Sequence, residues 1–117
     1  MSIKFYWRGD GENKRPYCEP ITKNNKKADF LSCLLSDDGG LGIKYNIDWT
    51  NEVLNSIGLM KKDGNKYFDI SKECWGVELK GSVAKVYFTY DEDEFVLLKT
   101  NEIETAVISW QKFLLEG

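Results

Sequence analysis

Four strand-like segments follow one another closely in the second half of the chain and constrain the fold more than any other feature. They are YFDIS (67–71), CWGVELK (74–80), VAKVYFTY (83–90) and FVLLKT (95–100). Connections this short favour antiparallel pairing, because parallel neighbours need a long crossover. In the second segment Trp75, Val77 and Leu79 share one face, and Gly81-Ser82 supplies the turn that follows it.

The last segment, TNEIETAVISWQKFLLEG, predicts an amphipathic helix. Its apolar residues recur at three- and four-residue steps along one side: Ile103, Ala106, Val107, Trp110, Phe113 and Leu114. Asn101 and Glu104 suggest a capping box at its start. Strands and helix together predict an α+β fold with an antiparallel sheet of about four to six strands and two or three helices. The C-terminal helix is expected to pack on the sheet.

The N-terminal region combines a strand with a long polar segment. IKFYW (3–7) is rich in β-branched and aromatic residues and predicts a first strand. Residues 8–27 are polar and contain both prolines, which predicts a long loop with at most one short strand. A loop of this length is functional or mobile.

Two helices are predicted before the sheet. The first runs from Lys26 to about Ser36 and is capped by Asn24 or Asn25. LGIKYNI (41–47) alternates apolar and polar residues and predicts a half-buried strand. A short second helix then follows, capped by Asp48 and ended by Gly58.

Length and charge bound the function. A chain of 117 residues fits a single domain, residues 1–117. Its net charge of −3 gives no electrostatic support to binding nucleic acid. The N-terminus lacks the apolar core of a signal peptide, and no apolar run approaches the ~20 residues that span a bilayer. We therefore expect a cytoplasmic protein that does not associate with membranes.

The chain lacks the residues on which most enzyme chemistry depends. It contains no histidine, which removes the usual general base and the commonest zinc ligand. Cys18, Cys33 and Cys74 show neither the spacing of a zinc site nor that of a disulfide framework. GGLG precedes a predicted strand, so it offers no helix N-terminus to a phosphate. We expect no enzyme activity, no cofactor and no metal.

An acidic run stands between the last two predicted strands. Its sequence is YDEDEF, in which Tyr90 and Phe95 bracket Asp91, Glu92, Asp93 and Glu94. The spacing is not that of a calcium loop, and carboxylates at an exposed hairpin tip stay ionised rather than act as general acids. Two interpretations remain: a solvated turn, or a docking surface for a basic partner.

Other residues extend the docking interpretation. Asp37 and Asp38 add carboxylates in another loop, and Trp7, at the end of the first predicted strand, is a candidate exposed anchor. The predicted partner-binding residues are Tyr90, Asp91, Glu92, Asp93, Glu94, Asp37, Asp38 and Trp7.

The short sheet-rich body, the acidic YDEDEF and the final FVLLKTNEIETAVISWQKFLLEG resemble small bacterial immunity proteins of contact-dependent growth inhibition and related polymorphic-toxin systems. The resemblance implies tight one-to-one inhibition of a cognate toxin domain, often a basic nuclease, whose active site is covered by acidic residues. It assigns no individual residue. Two alternatives stay open: a small-ligand or enzymatic module that uses residues 8–27 as a lid, and a structural or regulatory subunit.

Overall fold

The computed structural model describes residues 3–22 and 24–117. Within these residues the chain forms three α-helices and six strands in two antiparallel sheets. In chain order the elements are β1 (Ile3–Arg8), β2 (Arg15–Pro20), α1 (Lys26–Ser36), α2 (Ile43–Lys62), β3 (Tyr67–Ser71), β4 (Trp75–Lys80), β5 (Val83–Phe88), β6 (Asp91–Lys99) and α3 (Thr100–Glu116). The predicted α+β class is confirmed, with the strands divided between a four-stranded and a two-stranded sheet.

The larger sheet is a meander of order β3-β4-β5-β6. Its inner face is buried because apolar residues alternate in phase across the strands, as in the row Val77, Val86 and Val96. Gly81 turns the chain between β4 and β5 with a φ of 59°, a conformation that favours glycine. The opposite face is open and exposes Tyr67, a residue of the edge strand β3.

The C-terminal helix α3 packs on this sheet, as predicted, and also packs on α2. Its inward side chains Ile103, Val107 and Trp110 are fully buried. The helix begins at Thr100, and the Glu102 carboxylate accepts a hydrogen bond from the backbone N–H of Lys99 at 3.0 Å. The Glu104 carboxylate instead accepts a hydrogen bond from Lys61 Nζ, so the predicted capping box of Asn101 and Glu104 is wrong.

The strand predicted over residues 41–47 is wrong, because Ile43–Lys62 is one continuous helix. The buried positions recur at helical steps, beginning with Asn46, Trp49 and Val53. The short apolar alternation in LGIKYNI fits both periods, and packing against α3 selects the helix. Gly58 lies inside α2 and does not end it.

The two-stranded sheet covers the other side of the helices. Phe5 of β1 lies 5.2 Å from Trp110, ring centre to ring centre. Residues 8–27 contain β2 and a short 3-10 turn, Gly11–Asn13, which agrees with a long loop holding one strand. Asn25, rather than Asn24, caps α1, since its side chain accepts a hydrogen bond from the backbone N–H of Ala28.

The core contains a polar network centred on Asn46. Its Oδ1 accepts hydrogen bonds from Lys72 Nζ at 3.0 Å and from Trp110 Nε1 at 3.2 Å, while its Nδ2 donates to the Leu35 carbonyl at 2.9 Å. Lys72 Nζ also donates to the Leu35 carbonyl and lies 4.2 Å from the centre of the Trp49 ring. Lys72 is 6% exposed, and burial lowers the pKa of its amine to about 7.

We expect alanine substitutions at two glycines to change the free energy of unfolding in opposite directions. A Cβ on Gly76 of β4 would lie 2.5 Å from the Tyr87 hydroxyl, which donates to Asp69, so Gly76→Ala must displace that ring. We expect it to lower the free energy of unfolding by about 1–3 kcal/mol. Gly58→Ala has open space in α2 and should raise it by about 0.5–1 kcal/mol. Chemical denaturation of both variants checks this, and equal stability of both with the parent would contradict it.

Candidate functional site

The acidic run lies at the start of β6, directly after a turn at Thr89 and Tyr90. Phe88 pairs with Asp91, but the next pair along is Tyr87 with Phe95, so residues 92–94 lie outside the ladder as a bulge. The four carboxylates, Asp91, Glu92, Asp93 and Glu94, are exposed. The Asp93 N–H donates to Asp91 Oδ1, which gives the bulge a defined local turn. The acidic run therefore lies beside the hairpin tip and inside β6, whereas the sequence predicts a loop between strands ending at residue 90 and beginning at residue 95.

Asp37 and Asp38 follow α1 and lie at the same end of the molecule as the acidic run. Asp37 Oδ2 accepts hydrogen bonds from the backbone N–H groups of Cys74 and Trp75 at 2.8 and 3.2 Å. The Cys74 carbonyl in turn accepts from the N–H of Thr89, which precedes the acidic run. The Asp37 carboxylate thus fastens the α1–α2 loop to β4, close to the hairpin tip. Asp38 Oδ1 accepts from the N–H of Gly40 and shapes the same loop.

A row of aromatic rings connects α1 to the tip. Successive ring centres lie 5.0, 5.1 and 5.7 Å apart from Phe30 to Trp75, Phe88 and Tyr90. The first three rings are half-buried, whereas Tyr90 is 69% exposed. We call this region the acidic-aromatic end, defined by the aromatic row together with Asp37, Asp38, Glu73, Asp91, Glu92, Asp93 and Glu94.

The carboxylates at this end contribute to the raised pKa values of two nearby groups. Burial raises the pKa of the Tyr45 hydroxyl, and the carboxylates of Asp37, Glu73 and Glu52 raise it further. Burial likewise raises the pKa of the Cys33 thiol, with added contributions from Asp29 and Asp37. The thiol therefore stays protonated at neutral pH and is a poor nucleophile.

Trp7, the remaining predicted anchor, lies elsewhere. Its ring stacks on Phe113 of α3 with centres 5.0 Å apart, and Lys14 Nζ lies 4.6 Å from the ring centre. These contacts join the hairpin of β1 and β2 to the end of α3. Trp7 is half-buried and does not join the acidic-aromatic end.

Sequence reasoning missed Glu73 and the aromatic row. The alternation of Trp75, Val77 and Leu79 placed Trp75 on the inner face. It gave no indication that the partners of Trp75 there are Phe30 and Phe88. That information depends on the register between β4 and β5 and on the position of α1.

The carboxylates at this end are spread apart rather than grouped. Among residues 3–22 and 24–117, no three histidine, cysteine, aspartate or glutamate side chains group closely enough to hold a metal ion. Glu73 and residues 91–94 are exposed, whereas Asp37 and Asp38 are half-buried.

Two clefts bear on the predicted lid. The larger, about 630 Å³, lies between α2, α3 and the ends of β5 and β6, and the smaller, about 520 Å³, lies between β1, α1 and α3. Of the segment 8–27, Lys27 lines the larger cleft, while the other described residues line neither; Lys23 lies outside the described residues. The lid stays a prediction without support from the position of this segment.

Comparison of the chain with protein-family models, curated proteins and solved structures gave no match. In the part of the chain that the structure describes, every helix is too short or too polar to cross a membrane.

Proposed function

We propose that the protein is a non-catalytic immunity protein that neutralises a cognate toxin domain in the bacterial cytoplasm. It binds one toxin domain through the acidic-aromatic end. The complementary toxin surface is rich in lysine and arginine, as in nucleases that bind phosphates.

The observation that carries this proposal is the availability of the tip carboxylates. Among the described residues, Asp91, Glu92 and Asp93 have no ion-pair partner, and Glu94 has only the exposed Lys26 at 3.9 Å. Ionised side chains held together without internal cations attract a basic partner and speed the encounter with it.

The aromatic row supports a protein partner in particular. Protein interfaces place tyrosine and tryptophan at their centre and surround them with polar residues. Tyr90 is exposed and rests on Phe88, whose ring packs on Trp75. A supported ring of this kind loses little conformational entropy when it becomes buried in a complex.

Neutralising the tip tests the proposal. The variant D91N/E92Q/D93N/E94Q should keep its fold, since the four side chains are exposed. We expect its association with the toxin encoded by the adjacent gene to slow by about tenfold or more at low salt, because electrostatic steering is lost. Surface binding kinetics at about 10 mM and about 150 mM salt measure the on-rate and its salt dependence.

A variant of equal charge provides the control. D10N/E12Q/D63N/E116Q removes four exposed carboxylates that lie outside the acidic-aromatic end. Its on-rate should stay close to that of the parent. The proposal is wrong if both variants associate alike, or if the parent forms no stoichiometric complex with the toxin.

A further inference from the structure

The larger cleft lies apart from the acidic-aromatic end and has its own chemistry. Its floor consists of the buried side chains of Ile57, Met60 and Leu98. Val83 and Leu97 form apolar walls and are 46% and 51% exposed. The lining residues are aliphatic or polar and include no aromatic ring. A flexible alkyl chain matches such a floor, whereas a flat aromatic ligand finds no ring to stack on.

The rim of this cleft is cationic. Lys27, Lys61 and Lys99 line it, and Lys61 pairs with Glu104 at 2.7 Å. Within the described residues, Lys27 and Lys99 have no ion-pair partner. The second rim carboxylate, Glu102, already accepts a hydrogen bond from the backbone N–H of Lys99. Three lysines and two glutamates therefore leave the rim with an excess of one positive charge beside an apolar floor.

Two hydrogen bonds order one side of the cleft. Thr100 Oγ1 donates to the Gly81 carbonyl at 2.8 Å, and the Thr100 N–H donates to the Ser82 carbonyl at 2.9 Å. These bonds fix the β4–β5 turn to the start of α3, so this side of the cleft has a defined shape. A preformed site loses little free energy to ordering when it binds a ligand.

We infer that this cleft binds a long-chain aliphatic carboxylate. Its volume of about 630 Å³ is that of a small-molecule site and is small for a protein interface. The rim carries an excess of one positive charge, which matches a singly charged carboxylate better than a doubly charged phosphate. The site goes beyond the proposed toxin binding and uses none of its residues.

A ligand series tests the inference on the intact protein. Titration calorimetry below the concentration at which the ligands self-associate would compare octanoate, decanoate and dodecanoate. Affinity should rise about fourfold for each added methylene that becomes buried. Dodecanoate should bind at least about tenfold more tightly than dodecyltrimethylammonium, with dodecanol between them.

Paired variants separate the cleft from general attraction. K27Q/K99Q changes two exposed rim side chains and should weaken dodecanoate binding by about tenfold without changing dodecanol binding. K62Q/K66Q removes the same charge from exposed lysines outside the cleft and should leave both affinities unchanged.

Three results would overturn the inference. If K27Q/K99Q and K62Q/K66Q weaken dodecanoate binding equally, the effect comes from net charge and not from the rim of the cleft. An affinity independent of chain length would remove the apolar floor from the argument. Binding to anionic phospholipid vesicles, or to an acidic peptide, in preference to monomeric dodecanoate would replace the carboxylate by a membrane or protein partner.

Discussion

Replacing Trp110 with alanine is expected to lower the free energy of unfolding by about 3–5 kcal/mol. The side chain is fully buried, lies between Phe5 and Phe113, and donates a hydrogen bond to Asn46. Alanine leaves a cavity among these rings and removes that donor. Asn46 Oδ1 keeps its bond from Lys72, so the cavity accounts for most of the loss.

Two further variants calibrate this result. Trp110→Phe should lose less stability, because it keeps part of the aromatic packing. Ile108→Ala changes a side chain of α3 that is 51% exposed and should stay within about 0.5 kcal/mol of the parent. Denaturant unfolding monitored by circular dichroism measures all three. Trp110→Ala unfolding together with the parent would show that α3 does not pack as described.

The free energy of unfolding is expected to rise by about 1.5 kcal/mol between about pH 7 and about pH 8.5, because Lys72 loses its proton in the folded protein. The folded pKa is about 7 and the ordinary value is 10.5. In this range the unfolded chain binds a proton that the folded chain does not, so stability increases with pH. Below about pH 7 both states are protonated, and burial of the charged amine destabilises the fold in full.

The titration of the thiols sets the upper limit of the pH range in which the effect of Lys72 can be measured. Burial raises the pKa of Cys18 from 9.0 to about 12, so the folded chain keeps a proton that the unfolded chain loses. This destabilises the fold above about pH 9 and opposes the contribution of Lys72. Up to about pH 8.5 most thiols of the unfolded chain are still protonated on their ordinary value of 9.0, so the contribution of Lys72 is the larger one.

Lys72→Met should flatten the profile and increase stability at about pH 6, where the parent buries a charge. Both acceptors keep a second donor, because Leu35 accepts from Asn46 and Asn46 accepts from Trp110. Lys62→Met, at an exposed site on α2, should keep the slope of the parent. Urea unfolding of the parent and both variants across the pH range measures these slopes. A parent whose stability does not change with pH would contradict the lowered pKa of Lys72.

The second half of the fold was predictable because local pattern and tertiary structure agree there. The segments of 67–100 alternate with period two and are separated by turn residues, and the terminal helix has a continuous apolar side. The segment at 41–47 failed since a seven-residue alternation also fits a helix. Asn46 reads as an outward polar residue in a strand, whereas it is the centre of a buried network.

The sequence predicts Asp37, Asp38, Tyr90 and the carboxylates of residues 91–94, but not Glu73, the other three rings or the geometry of the site. Four adjacent carboxylates between aromatics mark an exposed tip from sequence alone. That Asp37 lies beside this tip depends on its hydrogen bonds to Cys74 and Trp75, across a separation of more than thirty residues. Lys72 was unpredictable as a core residue, because lysine is almost never fully buried.

Because residues 92–94 form a bulge outside the ladder, the length of the tip does not set the register of the sheet. Pairing resumes at Tyr87 with Phe95 and continues through Val86 with Val96, whatever number of residues loops out before it. Insertions and deletions at this point are therefore expected to leave the core contacts of β5 and β6 in place. On this scaffold the length and sequence of the tip can vary independently of the packing beneath it.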